Sequence, residues 1–176
     1  MDYIAEPLGR VKIRQLAEGI RKMLGLSDVL YLPVARILEI AMPLFFKDFS
    51  YEIVPEHEMP RNKHADTDVV NRIIRIREDV YYQAVDGSGR DRMTIMHEIA
   101  HYFLIVVCGI RFARTFGKNS GVAYLDPEWQ AKALAGEIMC PSRLIGQMTA
   151  RQISISCGVS MTAAELNLRK CRSIND

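Results

Sequence analysis

The chain has 176 residues, 49 % of them hydrophobic and 25 % charged, with a formal net charge of +2. That length and apolar content suit one globular domain, or one with a small appendage, and exclude a disordered chain. The near balance of charge gives no global pull toward nucleic acid or an anionic membrane.

In chain order, the first residues, Met1-Asp2-Tyr3-Ile4-Ala5-Glu6, have neither a basic nor an apolar leader segment. Val11 to Leu24 reads as an amphipathic helix, with Val11, Ile13, Leu16, Ile20, Met23 and Leu24 apolar and Gly25 as its stop. Pro33 can open a second helix through Val34, Ile37, Leu38 and Ile40, which Pro43 is expected to end or kink. Phe49 to Val54 and Arg72 to Arg77 are predicted strands, separated by a polar loop from Pro55 to Asp68. Asp86-Gly87-Ser88-Gly89 is a breaker. A long helix from about Asp91 to Val107 follows, ended by Gly109, and then a loop with Gly117, Asn119, Ser120 and Gly121. Asp126-Pro127 reads as N-cap and first residue of a helix to about Met139, closed by Pro141. The remainder, to about Lys170, reads as short helices broken near Gly158. Helices with a small sheet predict an α+β fold, with a core over 1–145 and a C-terminal helical extension over 146–176 packed on it.

The longest apolar stretches, such as Phe103 to Cys108, are far shorter than a membrane span. The four cysteines, Cys108, Cys140, Cys157 and Cys171, are scattered with no C-x-x-C pair. Without an export signal they read as buried free thiols, and the expected compartment is the cytoplasm.

The central feature is His97-Glu98-Ile99-Ala100-His101, an H-E-x-x-H pattern. Residues four apart share a helix face, so both imidazoles reach one Zn²⁺ at about 2.0–2.1 Å. Glu98 follows the first histidine, which swings its carboxylate beside the metal rather than onto it. A general base must sit there to take a proton from the water the metal activates. Ile95, Met96, Ile99, Ala100, Phe103 and Leu104 make the helix largely apolar, hence buried. Buried polar groups are costly unless paired, and a metal supplies the pairing; the competing reading is two satisfied core histidines. His57 and His64 lie in the polar loop and read as solvated, with access to substrate only if that loop folds over the site.

A catalytic zinc takes three protein ligands and keeps a fourth position open. Asp126, Glu128 and Glu137 are the downstream candidates. Asp126 is best explained as the N-cap. Glu128 continues onto Ala131, Ala135 and Ile138, a small apolar row, whereas Glu137 shares a more mixed face with Gln130, Ala133 and Leu134. The face argument favours Glu128 as the third ligand, with Glu137 as a surface or supporting carboxylate.

The segments GRDRMTIMHEIAHYF (89–103) and DPEWQAKALAGEIMCP (126–141) together resemble the ImmA/IrrE family of metallopeptidases. That family shows an R-x-x-F-T-x-A-H-E-[LI]-[GA]-H core, then an E-x-x-A-N-x-F-A-x-x-L-L-M-P helix. Gly158-Val159-Ser160 with Ala163, Ala164 and Leu168 resembles its C-terminal helical segment. This chain departs at Ala131-Lys132-Ala133-Leu134-Ala135 and Ile138-Met139-Cys140-Pro141, and has Ile105 where a histidine is frequent. The resemblance implies a minimal, mostly helical zincin-like fold, zinc ligands His97, His101 and Glu128, and Glu98 as base. It also implies a role: cleaving a separate helix-turn-helix repressor to relieve repression, in mobile elements or stress responses.

Two other classes compete. A DNA-binding regulator could use a helix opened by Ser160-Met161-Thr162-Ala163-Ala164, with Arg169, Lys170 and Arg172 beyond it, although the basic cluster is small. A metal-binding regulatory module without turnover would need no base and normally a fourth ligand. Tyr102, Tyr124 and Arg143 are candidates for stabilising an oxyanion, each with an ordinary packing or surface role as the simpler explanation.

Overall fold

The computed structural model describes residues 8–109 and 126–173. Helix α1 (Arg10–Met23) places Ile13, Ala17 and Ile20 in the core, spaced along one face, and Gly25 ends it in the left-handed conformation (φ 70°). Helix α2 (Val34–Arg36) runs through a π-helical segment, Ile37–Ala41, into α3 (Met42–Phe45). Pro43, expected to end or kink the helix, does not end it: the helical run continues to Phe45, with a π segment just before the proline. The π segment closes just before it, so Pro43 falls in the first turn of α3, where its missing N–H is tolerated.

Three strands follow: β1 (Ser50–Val54), β2 (Ala65–Asp68) and β3 (Ile73–Arg77), in the order β1-β3-β2. β3 pairs parallel with β1 and antiparallel with β2. Its Ile74 and Ile76 are fully buried, each contributing about 1.5–3 kcal/mol through area removed from water. β2 lies inside the stretch read as a polar loop. The turn after it is built by Asp68, whose carboxylate accepts from the Val70 and Asn71 amides, and by Arg72 at φ 58°.

The short helix α4 (Glu78–Val85) continues directly from β3. Helix α5 (Gly89–Tyr102) begins two residues before the expected start because the Ser88 side chain caps it, accepting from the Asp91 amide. It passes into a second π segment, Phe103–Val107, and stops at Gly109 (φ 64°). Helix α6 (Pro127–Met139) has Asp126 as N-cap, as its residues predict. Helices α7 (Ser142–Ile145), α8 (Ala150–Cys157) and α9 (Met161–Arg172) complete an α+β fold.

α5 is the central element. It packs on α6 and α4, and meets β2 and β3 at the sheet; α1 covers the other side of α6. Arg92 on α5 is buried, donating to the carbonyls of Leu32, Cys157 and Gly158, with its guanidinium 3.9 Å over the Tyr31 ring. It ties the C-terminal helices to the core. No helix among the described residues is long and apolar enough to cross a membrane. All four cysteines are free; Cys140, Cys157 and Cys171 are buried as expected, whereas Cys108, at the end of the π segment, is exposed.

Candidate metal centre

α5 presents His97 and His101 one turn apart, and α6 presents Glu128 in its first turn. The two helices approach closely because their facing residues are small: Ala100, Ala131 and Ala135 are all buried. The His97 and His101 Nε2 atoms stand 3.1 Å apart. Glu128 Oε2 lies 3.2 Å from His97 Nε2, and Oε1 lies 3.1 Å from His101 Nε2. The three side chains thus form a triangle in which one Glu128 oxygen faces each histidine nitrogen. Ligands about 2.0–2.1 Å from a tetrahedral ion stand about 3.3–3.4 Å apart, so an ion fits this triangle with little movement.

The chemistry of the donors fits as well. Burial holds the His97 imidazole below its ordinary pKa, helped by the Lys132 charge and opposed by Glu128. Burial and the neighbouring His97 do the same for His101, again against Glu128. Two neutral imidazoles turning nitrogens toward one another at 3.1 Å, beside a carboxylate, favour a shared cation over repelling lone pairs. Among the described residues, His97, His101 and Glu128 form a group able to hold a metal ion. The Glu128 side chain is 58 % exposed, so the triangle opens to solvent on one side.

Glu98 reaches the sheet at Thr67. It is buried, and burial pushes its carboxyl up to about 7. Thr67 on β2 partly offsets this: its hydroxyl lies 2.6 Å from Glu98 Oε2, and 3.2 Å from the Glu98 carbonyl oxygen. Glu98 is therefore fixed beside the ligands without being one of them.

Asp126 caps α6, its carboxylate accepting from the Glu128 amide. Glu137 is a supporting carboxylate at the far end of the helix. It accepts from the Ser142 amide and hydroxyl at 2.7 and 2.9 Å and lies 3.8 Å from Arg14. Tyr102 is buried edge-on against Phe49, and Arg143 bonds to Asp28 and the Ser27 carbonyl, so neither joins the triangle. Tyr124 and the loop with Gly117, Asn119, Ser120 and Gly121 lie outside the described residues. His57 is exposed, while His64 is half-buried, its Nε2 3.1 Å from Arg90 Nη2. Thr67 is the residue that sequence reasoning missed. Its only signal was a hydroxyl in a polar stretch. Neither a scan against models of protein families nor a search of curated proteins finds a match to this chain.

Proposed function

We propose that the chain is a zinc-dependent endopeptidase of the ImmA/IrrE type, with a zincin-like core, acting in the cytoplasm on a separate helix-turn-helix repressor. The observation that carries the reading is the pairing of two features. His97, His101 and Glu128 converge within 3.1–3.2 Å of one another, and a buried carboxylate, Glu98, sits beside them held by Thr67. Two imidazoles and one carboxylate with an open side form the donor set of a catalytic rather than a structural zinc. His97, His101 and Glu128 would hold the zinc, which would supply a Lewis acid for the peptide carbonyl and for water. Glu98 accepts the proton released as water adds to the carbonyl, then returns it to the departing amine. Among the described residues β2 pairs with a neighbour on one side only, and its other edge offers backbone groups to an extended substrate.

The test is Glu98→Gln, which keeps volume and accepts no proton. Zinc content should stay near wild type while cleavage of a co-encoded repressor falls roughly a hundredfold or more. Wild-type rates from the zinc-loaded variant would remove Glu98 as base. Equal derepression in cells by both forms would favour a non-catalytic metal-binding regulator.

A further inference from the structure

A groove of about 410 Å³ opens beside the metal centre, walled by α5, α6 and α9. Its α5 wall is formed by Arg90, Met93, Thr94 and His97, at i, i+3, i+4 and i+7, one face of the helix. The facing wall is a row on α9 that runs from its N-cap, Ser160, to Lys170. The floor is α6 at Ala135 and Gly136. Gly136 leaves room for α9 there, since a Cβ would stand 2.6 Å from Asn167 Oδ1.

Two properties define what the groove accepts. Its surface is largely apolar, from Met93, Ala135, Ala163 and Leu166, the last 44 % exposed. Among the described residues three cations also line it, Arg90, Lys132 and Lys170, and no aspartate or glutamate does. Among the described residues none of the three is ion-paired with a carboxylate. Lys170 senses Glu137, but that carboxylate is bound to Ser142. Unneutralised cations around an apolar surface favour an occupant with carboxylates and an aliphatic side chain. Among the described residues that line it none is an aromatic ring on which a nucleic-acid base could stack, so they favour a peptide over single-stranded DNA or RNA.

The groove ends on the ligand His97. From Arg90 to His97 the α5 wall is about 10 Å long, enough for about three residues of extended chain. We propose that this groove is a specificity subsite for residues adjoining the scissile bond. It selects an acidic polypeptide segment in which an aliphatic side chain is flanked by carboxylates. This role rests on the peptidase reading, and the groove's preference for acidic peptide is tested separately from turnover.

Matched peptides carry a central Leu flanked by Asp and Glu, by Asn and Gln, or by Lys. Cleavage is measured with the zinc-loaded full chain, and binding with its Glu98→Gln form by fluorescence anisotropy. The acidic peptide should bind at least about tenfold tighter than its amide isostere, with the difference shrinking as salt rises. Arg90→Glu with Lys132→Glu should reverse the preference toward the Lys peptide, and Lys170→Met should narrow it, with zinc content checked on each sample. Loss of packing alone would weaken all peptides alike. Equal binding of acidic and amide peptides by the unmutated groove overturns the proposal, whether or not the charge variants fold. So does a single-stranded oligonucleotide of equal charge that binds as tightly as the acidic peptide. Selective binding without cleavage of any peptide would sustain the subsite and overturn the peptidase; cleavage without charge preference would do the reverse.

Discussion

Glu98 and Glu137 show how one side-chain type takes opposite parts. Glu98 is buried with a single hydroxyl partner, so its charge is disfavoured and its carboxyl rises to about 7. Its folded pKa lies above the unfolded value of 4.5, so the stability it contributes is full below 4.5 and is lost as pH rises toward 7. In metal-free protein, Glu98→Gln should therefore be progressively more stable than wild type across that interval, by up to about 3 kcal/mol, and level off above it. Denaturant titrations from about pH 4 to about pH 8 measure the difference. A constant gap would mean that Glu98 titrates alike folded and unfolded. Glu137, by contrast, is spent on Ser142, so Glu137→Ala should cost about 1 kcal/mol and no metal. His97→Ala, His101→Ala and Glu128→Ala should each sharply lower metal content by elemental analysis. Metal retained by Glu128→Ala but lost by Glu137→Ala would refute the ligand geometry. The triangle was legible because the i,i+4 histidines and the apolar row behind Glu128 each encode a helix face. Thr67 was not, because a hydroxyl's partner lies 31 residues away and leaves no local pattern.

At the scale of elements, legibility followed periodicity. α1, β1, β3, α5 and α6 carry apolar spacing and end signals, and all appear close to their predicted bounds. β2, Ala-Asp-Thr-Asp, has no apolar alternation; it is a strand only because β3 offers it an edge, with Arg75 gripping Asp66 at 2.9 Å through two bonds. α4 has the helix-poor sequence Glu78-Asp-Val-Tyr-Tyr-Gln-Ala-Val85 and is held by Val80 and Ala84 in the core. Gly89, read as part of a breaker, is instead the first residue of α5, and a Cβ there would meet the Val159 carbonyl carbon at 2.5 Å. Gly158 serves the same junction. It ends α8 at φ 63°, and a Cβ would come within 2.2 Å of Tyr31 Cε2, the ring stacked on Arg92. Gly158→Ala should lose about 2–3 kcal/mol from left-handed strain and the clash together. Gly19→Ala, on the exposed face of α1 with nothing within 4 Å, should gain about 0.5–1 kcal/mol. Thermal melts that rank the two substitutions the other way would show that α8 and α9 do not dock on α5 as described.

For the whole molecule, the consequence of the site lies in where its ligands come from. His97 and His101 belong to α5, which touches the sheet, while Glu128 belongs to α6, which touches α1 and α9. Arg21, also buried, bonds from α1 to the Ile138 carbonyl at the end of α6. Arg92 links α5 to the turn before α9. The described part of the extension, residues 146–173, is therefore joined to the core by buried bonds as well as by apolar contact, and the described parts should melt together. An ion spanning α5 and α6 then stabilises the entire fold rather than one hairpin, because unfolding any part releases it. Metal at about a hundred times its Kd should add about 2.7 kcal/mol. For a chain of this size that is a rise of roughly 5–10 °C in Tm. Calorimetry on chelator-treated protein with and without added zinc measures it. The shift should be a single sharp transition moving upward, and it should vanish in His97→Ala and Glu128→Ala. Two transitions, only one of them moved by metal, would show that the C-terminal helices fold apart from the metal-bearing core.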